Sequence, residues 1–144
     1  MTTTEIDPND LAAAVRRFPA GSPVWMVNLL RFRPQARYAD AVRSTDAPSG
    51  QEVYLTRYLP AFNRAMTPHG VSTLMFAGMV TARVVGPGDA NWDAVAVATY
   101  PSIEVFRDLV EDPAYVAEAA PHRMAALADW QLFAATGLPT SASR

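Results

Sequence analysis

Apolar positions run almost unbroken through residues 24–32, VWMVNLLRF, where Asn28 and Arg31 are the polar exceptions. Val24, Met26, Asn28, Leu30 and Phe32 share one face of an extended strand, and Trp25, Val27, Leu29 and Arg31 share the other. Apolar side chains on both faces predict a strand covered on both sides, with Asn28 as its anomaly. Residues 92–100 repeat the pattern, with Trp92, Ala94, Ala96, Ala98 and Tyr100 on one face and Asp93, Val95, Val97 and Thr99 on the other. Residues 71–85 read as a strand with Gly78 as a bulge, joined to the next by the turn GPGDAN, and residues 130–138 read as the last strand. Helical spacing governs the rest. Asp7 caps a short helix that begins at Pro8 and ends at Arg17. Leu55, Tyr58, Leu59, Phe62 and Met66 recur at intervals of three and four over residues 51–66, where Pro60 is expected to kink or split the helix after Tyr58. Ser102 opens a further helix with Val105, Phe106, Leu109 and Val110 on its buried stripe. Asp112–Pro113 restarts that helix, and Pro121 restarts it again.

The order β-α-β-β-α-β predicts an α+β fold of the ferredoxin-like kind: a four-stranded antiparallel sheet with two broken helices on one face, plus the short N-terminal helix. At 144 residues the chain is expected to be one domain, 1–144, with its core at about 20–138. Residues 33–50 have no clear period and are read as a loop or lid, and 139–144 as a flexible tail. Helices on one face leave the other face of an apolar sheet bare. A second copy is the simplest cover, which predicts a homodimer through that sheet face.

A net charge of −2 argues against nucleic acid as a partner. No run reaches the roughly 20 apolar residues of a membrane span, and MTTTEIDPND is no signal peptide, so no membrane partner and a cytoplasmic location are expected. Cysteine is absent, which removes thiolate catalysis, zinc–sulfur sites and thioether cofactors. Lysine is absent too, which removes Schiff-base chemistry and phosphate-loop nucleotide hydrolysis. Proton transfer is left to His69, His122, five tyrosines and fourteen carboxylates. The two histidines lack metal-ligand spacing, so no metal is expected, and a lone histidine is weak evidence for haem.

VNLLRF, WD followed by ATYPS, VEDPAY and HRMAALADWQLF together resemble the dimeric α+β barrel superfamily, and within it an uncharacterised bacterial family known only as a domain of unknown function. The likeness spans roughly residues 20 to 136. It implies a sheet-to-sheet dimer in which each protomer keeps a cavity between its own sheet and helices. Members of the wider superfamily include cofactor-free monooxygenases, cyclases, isomerases, haem-dependent enzymes and proteins with no known activity, so fold alone decides little.

Several residues bear on chemistry. Asn28 either holds a substrate carbonyl or oxyanion, or is satisfied by neighbouring backbone or Arg123. Arg123 either binds a carboxylate or phenolate, or pairs with Glu111, Glu118 or Asp129. His122 offers a general base near neutral pH, whereas His69, in the TPHG turn, reads as solvent-exposed. Tyr54, Tyr58, Trp92, Tyr100 and Trp130 either line a pocket for a flat substrate or form aromatic core. Ala94, Ala96 and Ala98 leave room for a ligand or for a partner sheet. Asp93 reads as an exposed strand-end carboxylate. These features favour a small enzyme without metal or organic cofactor, acting as a cyclase, isomerase or substrate-carbanion monooxygenase on a small-molecule substrate. His122, Asn28 and Arg123 would be its catalytic groups. The alternative is a non-catalytic ligand-binding or assembly protein of the same fold.

Overall fold

The computed structural model describes residues 4–137, so Leu138 of the expected last strand and the tail at 139–144 lie outside the described residues. Helix α1 (Pro8–Arg17) begins as expected: the Asp7 carboxylate accepts the backbone N–H of Asn9 at 2.7 Å and of Asp10 at 3.3 Å, and Leu11 is the buried side chain. Strand β1 (Val24–Phe32) lies inside the sheet, antiparallel to β3 (Ala94–Tyr100) on one side and to β4 (Leu127–Ala135) on the other. Strand β2 (Thr73–Met79) pairs with the outer side of β3, giving the order β2-β3-β1-β4. The architecture is a four-stranded antiparallel sheet with helices, α+β as expected. None of the described helices is long and apolar enough to cross a membrane.

Strand boundaries differ from the expected ones for local reasons. Strand β2 stops at Met79 and leaves Val84 and Val85 exposed in irregular chain. Its register slips between Leu74 and Phe76, so the bulge falls there; Gly78 instead makes room for the Phe76 ring, whose tip would lie 2.8 Å from an added Cβ. Strand β3 starts at Ala94, because Asp93 is used as a staple. Its N–H donates to the Leu30 carbonyl at 2.8 Å and its carboxylate accepts the Phe32 N–H at 2.8 Å, so it is not an idle exposed acid. Strand β4 begins at Leu127, directly after a helix, which places Trp130 within the strand and not at its start.

Both long helical runs carry a π-helical stretch. The first comprises α3 (Gly50–Val53), a π stretch Tyr54–Tyr58 and α4 (Leu59–Met66); the second comprises α5 (Ile103–Glu111), a π stretch Tyr115–Ala119 and α6 (Ala120–Ala126). The π stretches explain why two prolines do not break the runs. Proline lacks an N–H, and its ring clashes with the carbonyl four residues back. Here Leu59 N–H bonds to the Tyr54 carbonyl and Ala120 N–H to the Tyr115 carbonyl, five residues back. This wider turn shifts the offending carbonyl just before Pro60 and Pro121. The expected splits at those positions are therefore absent, and His122 and Arg123 sit within α6. Only Asp112–Pro113 interrupts its run, where Asp112 turns extended with ψ 130°.

Residues 33–50 are tied to the helices: a short turn α2 (Ala41–Ser44) lies within them, and Ala36 and Tyr38 are buried against Val53, Ala125 and Ala126. At the end of this segment three backbones meet. Gly50 N–H donates to the Arg33 carbonyl at 2.9 Å, while Arg33 N–H donates to the Ala126 carbonyl at 2.8 Å. A Cβ on Gly50 would collide with the Ala126 carbonyl oxygen and lie 2.6 Å and 2.7 Å from the Arg33 carbonyl oxygen and nitrogen. Backbone cannot rotate aside as a flexible side chain can. Gly50→Ala is accordingly expected to cost about 3 kcal/mol in urea unfolding, and a loss below about 1 kcal/mol would show that the junction yields.

Candidate functional site

Strand alternation sends Met26, Asn28, Leu30 and Phe32 of β1 toward the helices, together with Trp130 and Leu132 of β4. Ala94, Ala96 and Ala98 of β3 point the same way and are too small to reach the helices. The resulting cavity holds about 540 Å³, between this sheet face and the α3–α4 run, with Tyr54, Tyr58, Phe62 and Tyr115 on the helical side. Leu55, Leu74 and Met79 are lining residues that are also largely exposed, and they mark an apolar rim. No residue of 33–49 lines the cavity.

Among the expected site residues, Asn28, Tyr54, Tyr58, Tyr100 and Trp130 line this cavity, whereas Trp92, His122 and Arg123 do not. Trp92 is half-buried, in the connection preceding β3. Asn28 is occupied by the protein. Its Oδ1 accepts the indole N–H of Trp130 at 3.0 Å, and its Nδ2 donates to the Ala96 and Met26 carbonyls at 3.3 Å and 3.4 Å. Arg123 is 5% exposed behind the cavity wall. Its Nη1 donates to the Tyr115 hydroxyl at 2.6 Å, its Nη2 to the Thr4 carbonyl at 3.2 Å, and its guanidinium lies 4.9 Å from the Trp130 ring centre. None of the expected pairings with Glu111, Glu118 or Asp129 forms; Asp129 pairs with Arg31 at 3.1 Å instead. His69 is not free either: its Nε2 lies 2.7 Å from the Asp112 carboxylate, joining the end of α4 to the break after α5.

Tyr115, absent from the expected set, is the residue that joins the groups. It lines the cavity, is 2% exposed, and its hydroxyl lies 2.9 Å from that of Tyr58. Tyr54 stacks on Tyr58 with ring centres 4.9 Å apart. A sequence signal for it exists: Tyr54 precedes Pro60 by the same six-residue spacing at which Tyr115 precedes Pro121, each tyrosine opening a π stretch. Burial is the main force raising the ionisation of Tyr54, Tyr58 and Tyr100 far above the ordinary phenol range, and the Arg123 charge only partly opposes it at Tyr54 and Tyr58. These tyrosines therefore stay protonated and act as hydrogen-bond donors, not bases.

His122 belongs to a different locus. Its Nδ1 lies 2.7 Å from the Tyr38 hydroxyl, which also accepts from Arg57 at 3.1 Å, while Arg43 stacks 4.6 Å over the Tyr38 ring. Arg57 can only donate and takes one lone pair of the Tyr38 oxygen, which leaves the hydroxyl proton available to the Nδ1 of a neutral imidazole. Desolvation, followed by Arg43, Arg57 and Arg64, holds its ionisation below the ordinary 6.5. The unfolded chain then binds a proton at a pH where the folded chain does not. Stability contributed by this site is present at neutral pH and is lost as pH falls through 6.5 toward the folded-state midpoint. The His122 ring should titrate below 6.5 by NMR, and His122→Asn should flatten that part of the stability profile. A midpoint at or above 6.5 would contradict this arrangement.

No protein-family model matches the chain, and no curated protein does. Among solved structures, it is similar to the crystal structure of the RPA0582 protein of unknown function from Rhodopseudomonas palustris, with 32% identity, a TM-score of 0.76, and coverage of 96% of this chain and 100% of that one. It is likewise similar to a crystal structure of the methylated RPA0582 protein, with 30% identity, a TM-score of 0.75, and coverage of 98% and 99%. At that identity over almost the whole of both chains, this chain belongs to the same family as the RPA0582 protein.

Proposed function

We propose that this protein binds a small ring-bearing molecule in the cavity beneath its sheet. It acts on that molecule without metal or organic cofactor, as a cyclase, isomerase or substrate-carbanion monooxygenase does. The observation that carries this reading is the cavity itself, about 540 Å³ walled by aromatic rings and the alanine row of β3, with only a few convergent polar groups. The Tyr58–Tyr115 hydroxyl pair supplies a donor for an oxygen that gains negative charge as a ring ketone enolises. Asn28, already committed to Trp130, and His122, remote from the lining, have no part in this scheme, and Arg123 acts from behind the wall. Non-catalytic ligand binding is a second reading, favoured by one observation: no histidine or carboxylate is among the lining residues, so any base must come from solvent or the ligand.

The element order and the strand order β2-β3-β1-β4 support assignment to the ferredoxin-like, dimeric α+β barrel architecture. On the face turned away from the cavity, registered positions place Phe76, Val97, Val27 and Phe133 in one row across all four strands, and Phe76 and Phe133 are more than half exposed. A second copy laid on this row would bury it.

Three measurements test these proposals. Naphthalene should quench tryptophan fluorescence through Trp130, and Ala96→Phe should weaken its binding by about tenfold or more. In D₂O the protein should accelerate exchange of the α-protons of 2-tetralone above the buffer rate; binding without acceleration would leave the non-catalytic reading. In sedimentation the wild-type chain should run as a dimer and Val27→Asp as a monomer, and a monomeric wild type would defeat the sheet-face proposal.

A further inference from the structure

We infer that the ligand of this cavity presents a single acidic oxygen, that of a phenol or enol, to the Tyr58–Tyr115 hydroxyl pair and is held there as the anion, with Arg123 as its counter-charge. This rests on the cavity being a small-molecule site and adds the chemical class of what enters it.

Counting protons gives the first support. Arg123 can only donate, so the Tyr115 oxygen is the acceptor of its 2.6 Å hydrogen bond. The Tyr58 and Tyr115 oxygens are 2.9 Å apart, which uses one of their two hydroxyl protons between them. The other proton has no acceptor among the described residues, and both tyrosines line the cavity. The pair thus offers one donor to a ligand, polarised by the guanidinium behind it. One donor suits one oxygen. A carboxylate, which gains most from two parallel donors, would leave its second oxygen against apolar walls.

Charge gives the second support. Arg123 is 5% exposed, its Nε is buried without a hydrogen-bond partner, and among the described residues no carboxylate lies within ion-pairing distance. Its contacts are a hydroxyl, a carbonyl and an indole face. A buried cation compensated only by neutral groups is costly, and an anion just beyond Tyr115 relieves that cost in a surrounding where screening is weak. Arg123 is therefore a positioning residue that acts through Tyr115.

The test uses the intact chain with 4-nitrophenol, whose phenolate is coloured, and 4-nitrotoluene as a neutral analogue, with 4-nitrobenzoate as the carboxylate arm. Wild-type protein should bind 4-nitrophenol as the phenolate and lower its ionisation midpoint by about one pH unit, a roughly tenfold preference for the anion. Nitrotoluene should bind more weakly and nitrobenzoate no better than nitrotoluene. Tyr115→Phe should abolish the midpoint shift while leaving nitrotoluene affinity within about twofold, which also shows that the variant is folded. Arg123→Met should do the same; if it does not fold, Tyr115→Phe decides alone. An unshifted midpoint with nitrotoluene still bound, or nitrobenzoate bound more tightly than nitrophenol, overturns the inference. Failure of all of these probes to bind overturns the cavity reading beneath it, and the inference with it.

Discussion

A guanidinium taken out of water must place its donors on something, and the interior of this protein is organised around how Arg123 does so. Its two terminal nitrogens reach the carbonyl of Thr4, before the first helix, and the hydroxyl of Tyr115, in the second helical run. Its face rests near Trp130 of β4, whose indole N–H reaches Asn28 of β1, and Tyr115 in turn meets Tyr58 of the first helical run. One cation thereby links the N-terminal segment, both helical runs and two strands. Because arginine never accepts, the Tyr115 oxygen accepts from it, and the Tyr58–Tyr115 pair keeps one hydroxyl proton that neither residue uses on the other.

Much of the scaffold was legible because its signals are local. The two-faced apolarity of VWMVNLLRF marks an interior strand, and Asp7 and Ser102 cap helices by bonding to N–H groups two or three residues on. The cavity was partly legible for the same reason: strand parity puts Asn28, Tyr100 and Trp130 on the face that the helices cover, with the alanines of β3 between. Errors arose wherever geometry depends on contacts distant in sequence. Asp93 looked like an exposed acid because its partner, the Phe32 N–H, lies on another strand. His122 and Arg123 are adjacent in sequence and both count among the expected catalytic groups. Successive residues on a helix point about 100° apart, so one joins Tyr38 and the arginines while the other enters the core. The local signal at Tyr115, its six-residue spacing to Pro121, marks a π stretch but does not reveal the Tyr58 hydroxyl on the other helical run that completes the relay.

The prolines illustrate how a local rule can be right in mechanism and wrong in outcome. Pro60 and Pro121 do exclude ordinary helical hydrogen bonding, and the chain answers by widening the preceding turn instead of breaking. Each widened turn begins with a tyrosine, Tyr54 in one run and Tyr115 in the other, and both tyrosines face the cavity. Widening a turn rotates the residues before it relative to those after it. The prolines thus help to set where the aromatic rings enter the cavity while the flanking helices keep their own packing.

Such an arrangement constrains chemistry as well as binding. A cavity in which burial keeps Tyr54, Tyr58 and Tyr100 protonated, and whose lining holds neither imidazole nor carboxylate, offers hydrogen-bond donors to negative charge and no base. In a general base mechanism the acceptor is tuned toward the working pH, whereas burial here moves the phenols the other way. Charge stabilisation and proton removal are therefore divided between protein and surroundings. A ligand that is already acidic needs no protein base, because it enters ionised or loses its proton to water at the apolar rim formed by Leu55, Leu74 and Met79. Under the proposed reading the same donor and cation would favour the anion over the neutral acid, so that recognition of an acidic oxygen and stabilisation of an enolate would be two consequences of one geometry.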